Sequence, residues 1–339
     1  MPTPNWLKAA AAACTLATAA AHADTTLLFN SFLAPQHPIN TRVLKPWAED
    51  VAKATGGRVK IEIAPASLAA PPAQMDAVVK GIVDGAYIFN GFLQGKVVLP
   101  QVAHLPFVNA SAKASSVALW RTYEAHFAKA GEYKDVELLS LFVFPGGPFY
   151  GMKGPVTSVA DLKGVKFYAL PGTAAQVLEA AGAGVVAVPA ARSHEVISGG
   201  TVDAFAGYPV QDAISFHTLQ YAKAITDVPG HLTAPSFSLF VNKKRWASIA
   251  PADREAIQRL SGEAFAARSA VYDEIEAKAR ETAAAQGIRF VQADAAFVDA
   301  LRGYGAKLQQ DWLAAAAKLG VDGPAALKTY RDEAGAAAR

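Results

Sequence analysis

The chain has 339 residues, enough for two domains, and its 52% hydrophobic and 18% charged residues exclude a disordered chain. A formal charge of +3, without a lysine–arginine cluster interleaved with aromatics, excludes a nucleic-acid binder. Cys14 is the single cysteine, which excludes disulfides and cysteine-ligated zinc.

The N-terminus reads as a leader. Lys8 gives a positive start, residues 9–21 are almost all alanine, and Ala21-His22-Ala23 supplies the small residues that a signal peptidase accepts. Residues 1–23 are therefore expected to direct Sec export to the periplasm and to be cut away after Ala23. Cys14 leaves with them, so the mature chain has no cysteine nucleophile, which suits an oxidising compartment. No later segment is apolar for long enough to cross a membrane, so the mature chain is expected to be soluble.

Thr25 to Phe29 reads as a strand, and Asn30 to Ile39 as a loop. Val43, Leu44, Trp47, Val51 and Ala54 then fall at helical spacing up to Gly56-Gly57, where glycine ends a helix by taking the left-handed conformation. Residues 58–63 alternate polar and apolar, as a half-buried strand does. A helix opened by Pro71-Pro72, a short strand 86–89, a helix 112–130 and a strand 136–144 complete an α/β unit with a largely parallel sheet.

Pro145-Gly146-Gly147-Pro148 breaks the pattern and reads as a crossing to a second α/β unit, with strands at 165–169, 185–188 and 202–206. Pro229-Gly230 marks the return, and 237–242 reads as a strand that rejoins the first unit. Pro251 opens a helical stretch reaching about Gln286-Gly287, long enough to bend or to pass between units. The expected division is residues 24–147 plus about 232–270 for lobe I, and 148–231 plus about 271–339 for lobe II.

Local catalytic motifs are absent: no G-x-S-x-G, H-E-x-x-H, P-loop or G-x-G-x-x-G occurs. The seven histidines are scattered without metal-ligand spacing, so neither a metal nor a cofactor is expected. Aromatic and polar residues instead gather where strands end, the place where open α/β sheets bind ligands. The candidates are Phe32, Gln36 and His37 after the first strand, Asn90 and Phe92 after the third, and Phe149 and Tyr150 after the crossing. Tyr168, Tyr208 and Gln211 are the candidates in the second lobe. Together they read as the walls of a cleft for a small molecule.

The order of several motifs carries a resemblance. His37-Pro38 leads into Trp47-Ala48-Glu49, closed by Thr55-Gly56-Gly57-Arg58-Val59; Val83-Asp84-Gly85-Ala86 and Leu105-Pro106-Phe107 follow. Residues 159–166, reading VADLKGVK, precede Pro171-Gly172; Gly200-Thr201-Val202-Asp203 and residues 241–246, reading VNKKRW, complete the set. In this it resembles the solute receptors of tripartite ATP-independent periplasmic (TRAP) transporters, over nearly the whole mature chain. The resemblance implies a type II periplasmic-binding fold, with two α/β lobes around a cleft and a long helix spanning both. It also implies closure on the ligand and delivery to TRAP membrane permease subunits. The chain itself is expected to be a monomer and, lacking catalytic motifs, not an enzyme. A ligand sensor for a signalling receptor, or an enzyme whose residues meet only in space, are the alternatives. At one position the chain departs from the family. Where most members carry an arginine that clamps a substrate carboxylate, this sequence has Tyr168, and Tyr208 replaces an asparagine common before the proline. The expected ligand therefore has a sizeable apolar or aromatic part, with Arg192 or His37 as a substitute partner for a carboxylate.

Overall fold

The computed structural model describes residues 25–93 and 95–337; the expected leader and its cleavage point lie outside them. The strands are β1 (Thr25–Asn30), β2 (Val59–Ile63), β3 (Gly85–Phe89), β4 (Val136–Val143), β5 (Phe149–Gly151), β6 (Lys166–Ala169), β7 (Gly184–Ala187), β8 (Ala204–Ala206), β9 (Ala224–Asp227), β10 (Ser236–Asn242) and β11 (Arg289–Gln292). They form two sheets, ordered β2-β1-β3-β10-β4 and β11-β9-β5-β8-β6-β7. Each sheet carries one reversed strand. β10 runs antiparallel to β3 and β4, and β5 antiparallel to β8 and β9. Both follow a Pro-Gly crossing, so the chain enters each sheet from the other lobe.

Local sequence explains the layers. Edge strand β2 alternates, with Val59 buried and Lys60 exposed, whereas central β3 is buried at every residue. Helix Lys45–Ala54 buries Trp47 and Val51, one turn apart, against the first sheet. It ends where Gly56 and Gly57 take φ of 60° and 84° and the Gly57 N–H donates to the Ala52 carbonyl at 2.7 Å. Each sheet has an apolar core on both faces, as a three-layer α/β unit requires.

Residues 251–286 are not one helix. They form Pro251–Arg259, Gly262–Ala266, a 3-10 turn Ala267–Ser269 and Ala270–Ala285. The break lies at Gly262, whose φ is 55° and whose carbonyl accepts the Ser140 hydroxyl at 2.7 Å.

Two helices span both lobes. Ala270–Ala285 places Tyr272 in the first sheet's core and Ala279 and Ala283 in the second's. Ala295–Lys318 starts in the second core with Phe297 and Leu301 and ends in the first with Trp312 and Ala316. The assignment of all of residues 271–339 to the second lobe is corrected here. Helix Gly323–Ala337 packs along Ala112–Thr122, and Leu327 and Tyr330 belong to the first sheet's core. Periodicity defines which face a helix buries but not which partner receives it.

Candidate functional site

The carboxyl ends of the two sheets face each other across a narrow cavity of about 30 Å³. Phe32 and Leu33 after β1, Phe89 and Phe92 at the end of β3, Phe144 after β4, Pro235 just before β10 and Phe237 within it form one wall. Leu170 after β6, Ala190, Tyr208 after β8, Asp212 and Phe216 form the other. The rings pack within each wall, with Phe144 and Phe237 at 4.4 Å and Phe89 and Phe92 at 5.1 Å in the first, and Tyr208 and Phe216 at 5.8 Å between centroids in the second. A cavity that admits benzene measures about 150 Å³, so any ring-bearing ligand needs these walls to part.

Beside the cavity, the lobes are joined by a buried polar pair. His37 Nε2 lies 3.0 Å from Asp212 Oδ1, and the imidazole lies nearly parallel to the rings of Phe144 and Phe216, at 6.3 and 6.0 Å between centroids. The Ile39 backbone N–H donates to His37 Nδ1 at 3.2 Å, so the ring proton sits on Nε2 and is donated to Asp212. Gln211 Nε2 also donates to Asp212 Oδ1, leaving Gln211 Oε1 buried without a partner in the protein. The Tyr272 hydroxyl is likewise buried and unpartnered, with its ring 4.2 Å from that of Phe144. Burial keeps the phenols of Tyr87, Tyr208 and Tyr272 protonated by pushing their pKa values upward, and the nearby Asp212 charge adds to this.

Asp212 rides on helix Val210–Ser215, and the spanning helix Ala270–Ala285 fixes that element. The Val210 and Gln211 N–H groups donate to the Glu276 carboxylate at 3.1 and 2.9 Å. One turn earlier, Asp273 accepts from the N–H groups of Ala112 and Lys113 at 2.7 and 3.1 Å, at the start of a helix in the other lobe. A single helix thus caps one helix in each lobe. Burial raises the Glu276 pKa, against the two N–H bonds and Arg280, which lower it.

The sequence-derived candidates separate into groups. Phe32, Phe92 and Tyr208 line the cavity, and His37 and Gln211 hold Asp212 beside it. Tyr168 stands one layer behind Tyr208, its hydroxyl donating to the Val188 carbonyl at 3.1 Å, and Tyr150 donates to the Tyr208 carbonyl at 3.0 Å. Neither lines the cavity, because the residues ahead of them in the second sheet's core cover them. Phe149 is corrected more firmly. It lies in β5 and not in a loop, so it points to the face opposite Tyr150 and packs on Phe167 and Phe297. Asn90 is buried in a network of the first lobe, donating to Ser236 Oγ at 2.9 Å. Gln36 is exposed on its loop. Arg192 is exposed and paired with Glu195 at 3.0 Å, away from the lining. Among the lining residues missed from sequence are Phe89, Phe144, Phe216, Phe237 and Asp212. Phe144 follows the last residue of β4 and so carried the strand-end signal, whereas Asp212 lies in a helix and is marked only by adjoining Gln211.

Three comparisons fit this geometry. A family model described as bacterial extracellular solute-binding protein, family 7 (DctP), matches residues 29–314. A curated relative from Comamonas testosteroni, called outer membrane transporter protein TsaT, is 52% identical over 92% of this chain and 93% of its own length. That name points to the outer membrane, whereas the structural relatives are periplasmic receptors. A TRAP periplasmic solute-binding protein from Bordetella bronchiseptica, solved with (R)- and (S)-mandelate, is 33% identical at a TM-score of 0.87, over 91% of this chain and 98% of that one. A marine metagenome TRAP solute-binding protein described as specific for aromatic acids, solved with 3-hydroxybenzoate, is 28% identical at a TM-score of 0.84, over 92% of this chain and 98% of that one. With two lobes, a ring-walled cavity at the carboxyl ends of both sheets and this sequence match, the chain belongs to the DctP family of TRAP periplasmic solute receptors.

Proposed function

We propose that this receptor captures an aromatic carboxylic acid and presents it to its TRAP membrane partner without transforming it. The observation that carries this is the cavity wall, built from aromatic and aliphatic side chains of both lobes with Asp212 as its charged member. A small aliphatic dicarboxylate finds neither an arginine nor a lysine among the lining residues. A flat ring finds faces and edges on every side. The ligands of the mandelate and 3-hydroxybenzoate receptors, both aromatic acids, agree with that chemistry.

In this reading the ligand enters when the lobes part at the crossings around 145–148 and 229–230, and contacts to both walls then favour closure. The receptor acts as a monomer after removal of residues 1–23. A thermal-shift panel tests the ligand class, because a ligand that binds the native state raises the melting temperature by mass action. Benzoate, mandelate and 3-hydroxybenzoate are expected to stabilise the mature protein, with succinate and malate inert. Stabilisation by the aliphatic acids alone overturns the reading.

A further inference from the structure

The cavity confronts an anion with an electrostatic obstacle. Asp212 is the charged side chain of its lining, and Asp212 is only 4% exposed. His37 is the basic group in contact with it, and both ring nitrogens are engaged, Nε2–H with Asp212 and Nδ1 with the Ile39 N–H. An imidazole bonded in this way is neutral, so the pair carries one net negative charge. At an effective dielectric of about 20, a second carboxylate about 4 Å away weakens binding roughly a thousandfold.

The other groups facing Asp212 do not remove that obstacle. Tyr87 from β3, Tyr150 from β5, Tyr168 from β6, and Tyr208 and Tyr272 all feel its charge, and all are buried phenols held neutral. Glu276 also feels it, and is itself an acid, committed to the Val210 and Gln211 N–H groups and to Arg280. Arg280 is bound in turn to Asp227. The cluster therefore has hydroxyl donors but no spare cation.

Resting on the ligand class proposed above, we infer that an aromatic carboxylate enters this site together with one proton, taken from solvent and lodged on Asp212. Two carboxylates that share a buried site keep one proton between them. The charge balance closes: the ligand brings one negative charge, the proton cancels it, and the occupied site holds the same single negative charge as before. Asp212 then changes role. One of its oxygens still accepts the His37 Nε2–H, and the protonated one donates to the ligand carboxylate. The Tyr272 hydroxyl, unpartnered and within the field of Asp212, is a further donor available once the walls part. On release into the permease, the proton leaves with the acid. Asp212 is thus a specificity-determining residue that replaces the family's charged clamp with a proton.

Calorimetry of benzoate binding to the mature protein, in phosphate and in Tris at roughly pH 7, measures proton exchange directly. About one proton taken up per benzoate is expected, with the dissociation constant rising about tenfold per pH unit. His37→Gln keeps an amide donor toward Asp212 and is expected to retain the uptake; Asp212→Asn is expected to bind benzoate with uptake near zero. Benzoate binding by the wild type without proton uptake overturns this inference and leaves the ligand class standing, and that result needs no variant to fold. Loss of uptake in His37→Gln with retention in Asp212→Asn overturns the assignment to Asp212. Failure of benzoate and every other aromatic acid to bind overturns the ligand class and this inference with it.

Discussion

His104 and His37 are both 3% exposed, and both stack on phenylalanine rings, yet they sit in opposite kinds of surroundings. Around His104 every partner belongs to the first lobe. Its Nε2 lies 2.8 Å from Ser236 Oγ and accepts the Ser236 N–H at 3.1 Å; Ser236 accepts from Asn90, and Ser238 joins Asn90 to Tyr133. None of these side chains has an unpartnered buried polar atom. Around His37 the bond crosses to the second lobe, and the neighbours Gln211 and Tyr272 keep polar atoms without a partner. A closed network within one lobe holds the fold together. An incomplete one across the boundary leaves capacity for a ligand, because an unmet buried polar atom is costly until something meets it.

Acid separates the two histidines most strongly. Burial lowers the His104 pKa from 6.5 to about 4. The unfolded chain binds that proton more readily, so the stability tied to neutral His104 is complete above about pH 6.5 and is lost as the pH falls toward 4. The linkage amounts to roughly 3 kcal/mol. Urea unfolding at stepped pH should show the loss, and His104→Gln should flatten it within that window. A wild-type acid loss unchanged in His104→Gln breaks the comparison.

Phe216→Ala removes a wall of the cavity and the ring beside His37. It is expected to weaken benzoate binding by about 2 kcal/mol in calorimetry, with little change in melting temperature, since Phe216 is only partly buried. His37→Ala, by contrast, removes the bond between the lobes. Without ligand it is expected to shift the population toward the open form by about 1 kcal/mol, seen as a larger radius in small-angle scattering. An unchanged radius would place the closing force elsewhere. Tyr168→Phe sharpens the boundary between wall and backing. It is expected to cost about 0.5 kcal/mol of stability through the lost Val188 bond, with benzoate affinity unchanged.

The strand–helix alternation, the two crossings and the ring-rich strand ends were legible because periodicity, Pro-Gly breaks and turn chemistry are local. β5 was not: it is three residues long and follows directly on the crossing, so no alternation announces it or the face on which Phe149 falls. Tyr168 passed for a cavity residue because strand position reveals an end but not a layer. Asp212 carried no distinctive spacing; its meaning comes from His37, 175 residues away. The destination of the last helix was equally hidden, since its apolar face fits either lobe.

That last helix makes the first lobe the last to be completed. The Tyr330 hydroxyl donates to Asn109 Oδ1 at 2.6 Å across a separation of 221 residues, and Trp312, Leu327 and Tyr330 fill the first sheet's core. A chain emerging from a membrane N-terminus first presents most of its first lobe long before the residues that seal it, and contacts at such separations form slowly. The topology therefore ties completion of the first lobe to the arrival of the C-terminal helices. It also marks failures: a product cut short of Trp312 leaves an apolar face open in its N-terminal lobe, ready for a protease.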